Sequence, residues 1–240
     1  MGSASGSLTP YKRRRPVPAL VLFAVLLVSS VFVWVKVLGN ASDVDAAIKC
    51  NAPGNVTTSV TGAADPAAAS TPQPQAPPLG TVLEHDALDR TNPVPVGEVN
   101  FKVVNASTQR NHAKAVATMF TELGLKQAAD PGNDAIYPAG DMTCRGQIRF
   151  GAPGASAART LSLLEPCLEL VRDDRQDATV DIAIGKKFDE VKPNSSARKI
   201  LDQLSEWAAQ QPEQQGGQVA AATPPTLNAD NLAGARDVTC

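Results

Sequence analysis

The chain has 240 residues, a formal net charge of −2 and only 4% aromatic residues, too few large apolar side chains to pack a core along its whole length. One domain of roughly 100 residues flanked by non-domain segments is therefore expected. Five of the 22 basic residues precede the first acid, Asp43, leaving 17 bases against 24 acids beyond it; so acidic a body lacks the positive field that nucleic-acid binding relies on, and that class of partner is excluded.

Residues 1–16 form a basic tail ending in Lys12, Arg13, Arg14 and Arg15, and Val17 to Val35 is then a run of 19 residues without charge. A helix of that length spans about 28 Å, close to a bilayer hydrocarbon core. Lys and Arg mark the cytoplasmic side of such a segment, and an indole and an amine such as Trp34 and Lys36 suit the outer interface. A single-pass anchor over 17–38 is expected, with the bilayer as its partner, the amino terminus cytoplasmic and the body extracytoplasmic. The alternative is a cleaved signal peptide, with small residues at Gly39-Asn40-Ala41, although the apolar run exceeds the usual length of about 7–15 residues.

Residues 39–78 read as a juxtamembrane segment and a semi-rigid linker. A short helical turn fits Asp43 to Ile48, and Asn51 to Pro78 is rich in Thr, Ala, Pro and Gln. Such composition buries too little apolar surface to offset ordering entropy. The compact domain is expected over 79–192. A lead-in helix is expected at Thr81–Leu88, a strand at Val99–Asn105, and a helix from His112 to Leu123 whose stripe is Ala113, Val116, Ala117, Phe120 and Leu123, stopped by Gly124. Strands follow at Leu125–Ala129 and Gly146–Phe150, separated by a turn at Asp130–Asp134, then a helix at Ser156–Leu164. An extra short strand at Cys167–Val171 and an alternating strand at Thr179–Ile184 complete it. The order β-α-β-β-α-β predicts an α+β fold: a two-layer, ferredoxin-like split βαβ sandwich with two helices on one face of a mixed sheet. A further helix over 193–211, capped by Asn194 or Ser195, is expected to dock on the domain, with a flexible tail over 212–240 in which Cys240 pins Asp230–Cys240.

All four cysteines follow the apolar run, which suits an oxidising compartment. Cys144 and Cys167 lie inside the folded domain and are expected to pair. Cys50 and Cys240 then remain, to pair with each other, to pair between molecules or to stay free; four cysteines allow three connectivities. No Cys-x-x-Cys or Cys/His cluster supplies a metal site, and no metal or cofactor is expected. The acidic turn Asp173, Asp174 and Asp177 reads as solvated. His85 and His112 sit in no nucleophile motif, so no catalytic residue is assigned. For ligand binding, Asn105, Ser107, Thr108 and Arg110 sit between a strand and a helix amino terminus, where free N–H groups attract anions or the same side chains simply cap the turn. Arg145, Arg149 and Arg159 are candidates to converge on carboxylates or phosphates, the alternative being solvated arginines.

Phe101-Lys102-Val103-Val104-Asn105-Ala106-Ser107, the helix ending Leu123-Gly124-Leu125, Ile148-Arg149-Phe150-Gly151 before Ala157-Ala158-Arg159-Thr160-Leu161, and Thr179 to Lys186 together resemble the LytR carboxy-terminal domain family of actinobacterial cell-wall proteins, over about 90 residues. The resemblance implies a role in the cell envelope. Larger relatives carry a phosphotransferase domain before this module, but only the linker stands there in this chain, so enzymatic activity is not carried over. The expectation is a non-enzymatic protein that binds a wall polymer, lipid-linked precursor or other envelope ligand; the second reading is an adaptor for wall-assembly enzymes. A cleft lined by Arg149, Arg159 and the Asn105 loop favours the first, an exposed apolar patch the second.

Overall fold

The computed structural model describes residues 17–54, 77–211 and 225–240, without the side chains of 17–20, 35–43 and 45. The basic tail 1–16, most of the expected linker and residues 212–224 lie outside the described residues. By internal contacts the chain divides into two units, Met1–Asp43 and Val44–Cys240.

The first unit is the greater part of helix α1, Val17–Ile48. Its large apolar side chains between Val21 and Trp34 are all more than half exposed. The expected anchor extends on both sides into residues without described side chains, and among the described residues no helix is long and apolar enough to cross a membrane.

The second unit is built on a seven-stranded mixed sheet of strand order β1-β6-β5-β7-β2-β3, with β4 also paired to β2. The strands are β1 (Thr81–Leu83), β2 (Asn100–Asn105), β3 (Lys126–Gln127), β4 (Gly132–Asn133), β5 (Gly146–Phe150), β6 (Glu169–Arg172) and β7 (Val180–Ile184). The helices are α2 (His112–Glu122), α3 (Ala155–Leu164), α4 (Ser195–Ala209) and α5 (Ala229–Arg236). Phe101, Val103, Ile148, Phe150, Leu170, Val180, Ile182 and Ile184 point from the sheet into one core with Val116 and Phe120 of α2 and Leu161 and Leu164 of α3. The helical stripe read from the sequence is the buried one, and its two helices share one face of the sheet.

The split βαβ order does not hold. In that arrangement another strand lies between the two strands of each βαβ unit. Here β2 and β3, joined by α2, pair directly in parallel, as do β5 and β6, joined by α3. Gly124 turns the chain with φ +91°, a conformation glycine adopts freely, so that Lys126 N donates to Val99 O at 3.0 Å beside its own starting strand. The segment expected as an extra strand becomes β6, and β7 fills the space between the units, antiparallel to β5 and parallel to β2. The expected lead-in helix is also corrected: Thr81–Leu83 is extended because it pairs antiparallel with Leu170–Arg172 at the sheet edge, and only turns follow it.

Both ends of the expected domain move outward. Asn51, expected in the linker, accepts at Oδ1 from Thr143 N (2.7 Å) and receives the Tyr137 hydroxyl on its carbonyl. α4 is capped as expected, Asn194 Oδ1 accepting from Ala197 N at 2.9 Å. The tail is not wholly flexible, because Ala235 and Leu232 of α5, with Leu227 just before it, pack against Leu163 of α3 and Ala197, Ile200 and Leu204 of α4.

The disulfides are Cys50–Cys144 and Cys167–Cys240, which corrects both expected pairs. Cys144 is buried on the face of the sheet away from α2 and α3, where the chain after α1 folds back, whereas Cys167 follows α3, where the segment after α5 ends. Proximity in sequence and along neighbouring strands therefore misassigns them. The loops span 94 and 73 residues, and on the chain-entropy account each bridge contributes about 4–5 kcal/mol. Peptide mapping under non-reducing conditions is expected to recover these two linkages; a Cys144–Cys167 peptide contradicts the fold. Replacing either pair by serine is expected to lower the denaturant midpoint by a corresponding amount.

Candidate functional site

Alternation along β5 and β6 points Gln147, Arg149 and Glu169 away from α2 and α3, onto the opposite face of the sheet, and all three are buried. Arg149 is held bidentately by Asp134, Nη1 donating to Oδ1 at 2.9 Å and Nη2 to Oδ2 at 2.7 Å. Its Nε donates to Gln147 Oε1 at 2.9 Å, Gln147 Nε2 to Glu169 Oε2 at 2.7 Å, and Cys50 N to Glu169 Oε1 at 3.1 Å. The Tyr137 ring stacks with its centroid 5.7 Å from the guanidinium. Burial, the largest influence, pushes the Tyr137 phenol up to about 12, so it remains a neutral donor near neutral pH. Every donor group of Arg149 is engaged within the fold, and it is not placed to read a ligand.

Arg145 is likewise committed. It pairs with Glu165 (3.2 Å) and Asp189, and its guanidinium lies 4.9 Å from the centre of the Phe188 ring. Burial raises the Glu165 carboxyl above its ordinary value although Arg145 and Lys192 N oppose the shift. This cluster holds the loop between β7 and α4.

The Asn105 loop forms a local turn, the alternative given to it by sequence. Asn105 Oδ1 accepts from Ser107 N (3.0 Å) and Ser107 Oγ (2.8 Å), and Asn105 Nδ2 donates to Gln109 O at 2.7 Å. Thr108 and Arg110 are exposed. A shallow cleft of about 230 Å³ at the start of α2 is lined by Asn105, Asn111, Lys114 and Pro131–Asn133, without Ser107, Thr108 or Arg110. In the acidic turn, Asp173 is taken by Arg175, which also binds Asp181.

The three arginines do not converge. Arg159 lies on α3, on the other side of the sheet from Arg149, and is only 4% exposed. It lines a cleft of about 420 Å³ between the 89–93 segment and the carboxy-terminal strap, with Asp89, Thr91, Asn92 and Pro93 on one side and Pro225, Thr226, Leu227 and Leu232 on the other. Its Nη1 lies 3.1 Å from Asp89 Oδ1, its Nε is buried without a hydrogen-bond partner, and burial lowers its pKa from the ordinary value. The expected cleft joining Arg149, Arg159 and the Asn105 loop is thus replaced by one around Arg159 alone. No sequence pattern points to the strap residues, because they reach the cleft only through the packing of α5.

The contrast between the two kinds of arginine is measurable. Asp134→Ala leaves a buried guanidinium without its counter-charge and is expected to cost about 3–5 kcal/mol. Asp189→Asn, at an exposed partner of Arg145, is expected to cost less than about 1 kcal/mol. Urea denaturation checks both, and equal small losses contradict the assignment of Arg149 as a core charge.

Comparisons with known proteins agree with this architecture. Residues 98–188 match the family described as LytR cell envelope-related transcriptional attenuator. Across 204 residues the chain is 32% identical to the cell envelope integrity protein Cei of Mycobacterium tuberculosis (strain ATCC 25618 / H37Rv), covering 84% of this chain and 86% of that one. The crystal structure of the soluble domain of a conserved hypothetical secreted protein from Mycobacterium marinum superposes with a TM-score of 0.55 at 29% identity, over 68% of this chain and 99% of that one. The matched region runs from just before β2 to the loop after β7, and the likeness to Cei extends well beyond it. The chain therefore belongs to the LytR carboxy-terminal domain family, in the group typified by the cell envelope integrity protein Cei.

Proposed function

We propose that this protein is a membrane-anchored, non-enzymatic binding protein of the cell envelope, with its body outside the cytoplasmic membrane, contributing to envelope integrity by holding a wall or envelope ligand. The observation that carries the ligand reading is the Arg159 cleft, a concave site of ordinary ligand-binding size lined by polar and apolar groups together. The anchor reading is supported by the charge-free run from Val17 to Val35, its basic flank and the exposed apolar side chains between Val21 and Trp34. Two disulfides that engage every cysteine fit an oxidising compartment. The adaptor reading has less support: outside α1 the only large apolar side chain exposed among the described residues is Val82, and the apolar face of α4 is covered by α5 and α3. For the enzyme reading, neither His85 nor His112 stands in the Arg159 cleft among its lining residues.

Expression in a bacterial host, fractionation and protease treatment of spheroplasts test the topology. The full chain is expected to partition with the cytoplasmic membrane, to need detergent for extraction, and to lose its carboxy-terminal body to external protease. Release into the soluble fraction, or a protected body, contradicts the reading. In the same preparation, retention on purified wall material is the expected sign of ligand binding, and retention only through other membrane proteins favours the adaptor.

A further inference from the structure

The two buried arginines of the body differ in a way that packing does not require. Arg149 uses Nε, Nη1 and Nη2 on side chains of the fold. Arg159, equally buried, faces one carboxylate through Nη1 and leaves Nε without a partner. That carboxylate, Asp89, is 43% exposed and is shared with Arg236, so it neutralises Arg159 only in part. A buried, incompletely compensated guanidinium carries a standing desolvation cost, which an arriving anion offsets. Its planar fork suits a carboxylate or a phosphate.

The walls restrict the rest of the ligand. Thr91, Asn92 and Thr226 offer hydroxyl and amide groups without charge, while Pro93, Pro225, Leu227 and Leu232 offer apolar surface. Hydroxyls on a ring with C–H faces meet both requirements. Four of the nine lining residues belong to the strap, and the strap is fastened several ways. Cys240 is bonded to Cys167, Asn194 Nδ2 donates to Gly234 O (2.9 Å) and Ala235 O (3.2 Å), and Arg236 binds Asp89 and the carbonyl of His85. Such fastening fixes the far wall of the cleft.

We infer that the Arg159 cleft is a binding site for a sugar or short glycan segment bearing an oxyanion, carboxylate or phosphate, and that the disulfide-latched carboxy-terminal strap forms its second wall. The inference rests on the ligand-binding reading above and deepens it. Asp89 takes part as the internal counter-ion that the ligand's oxyanion supplements.

The test uses the full chain in lipid nanodiscs, titrated with glucuronate, glucose 1-phosphate and glucose and followed by calorimetry. At least one anionic sugar is expected to saturate the site, with glucose weaker by about tenfold or more, as loss of a charge-assisted contact implies; comparison of the two anions separates carboxylate from phosphate recognition. Arg159→Lys keeps the charge but not the fork, and is expected to weaken the preferred anion by about tenfold. Because Arg159 is buried, Asn92→Ala and Thr226→Val, at exposed lining positions, serve as variants that keep the fold. Each is expected to weaken binding several-fold with unchanged thermal melting, and the double variant Cys167→Ser/Cys240→Ser to abolish it. Equal affinity for glucose, no saturation by either anion, or undiminished binding by the folded lining variants overturns the inference. If those variants still bind purified wall material, ligand binding stands and its site lies elsewhere.

Discussion

A sheet has two faces, and among the described residues α2 and α3 lie on only one of them. α2 and α3 close the first with an apolar core. The second is closed by irregular chain, the segment around Cys50–Asn51 and the 134–145 loop, whose backbone polar groups need partners when water is removed. Asn51 serves Asp141 O and Thr143 N, Glu169 Oε1 accepts from Cys50 N and Asp134 Oδ1 from Ile136 N, while the Cys50–Cys144 bridge ties the two segments together. Asp134 joins the parts, since its backbone N–H donates to Asn105 O while its carboxylate holds both Arg149 and Ile136 N. The cover is thereby set in register with β2 and β5 at once.

The two buried arginines of the body are held differently. Arg149, with each guanidinium nitrogen bonded to a side chain of the fold, maintains the sheet; Arg159, with its Nε unpartnered, lies under the strap, at a cleft. The strap in turn depends on α4 and α5, elements outside the region shared by the wider family, residues 98–188. The common module supplies strands β2 to β7 and helices α2 and α3, while β1, the disulfides and the carboxy-terminal helices complete the body.

Much of the module was legible in the sequence, because the periodicities that bury Phe101, Val103, Val116, Phe120, Leu161 and Ile182 are local properties. The Asn194 cap of α4 was local too. Strand order was not, because alternation along Val180–Ile184 says which face is buried and not which neighbour is paired. Thr81–Leu83 is too short for periodicity to separate strand from helix. The disulfides were missed for a different reason. Cys50 and Cys240 sit in segments of loop-like composition, and their placement follows from long-range contacts made by Asn51, Tyr137 and Ala235. Of the expected site residues, Arg159 alone lines the cleft between the 89–93 segment and the strap; Arg145 and Arg149, by sequence candidates for a ligand or for solvent, are used by the fold itself.

The central claim is that the face of the sheet opposite α2 and α3 is sealed as a unit by the Cys50–Cys144 bridge and the Arg149 network. Native-state hydrogen exchange on Cys50→Ser/Cys144→Ser compared with the parent protein tests it most directly. The account predicts a selective loss of protection in the 134–145 loop and the adjoining amides of β5 and β6, with α4 and α5 unchanged. Protection falling uniformly through the body, or not at all in that loop, contradicts it.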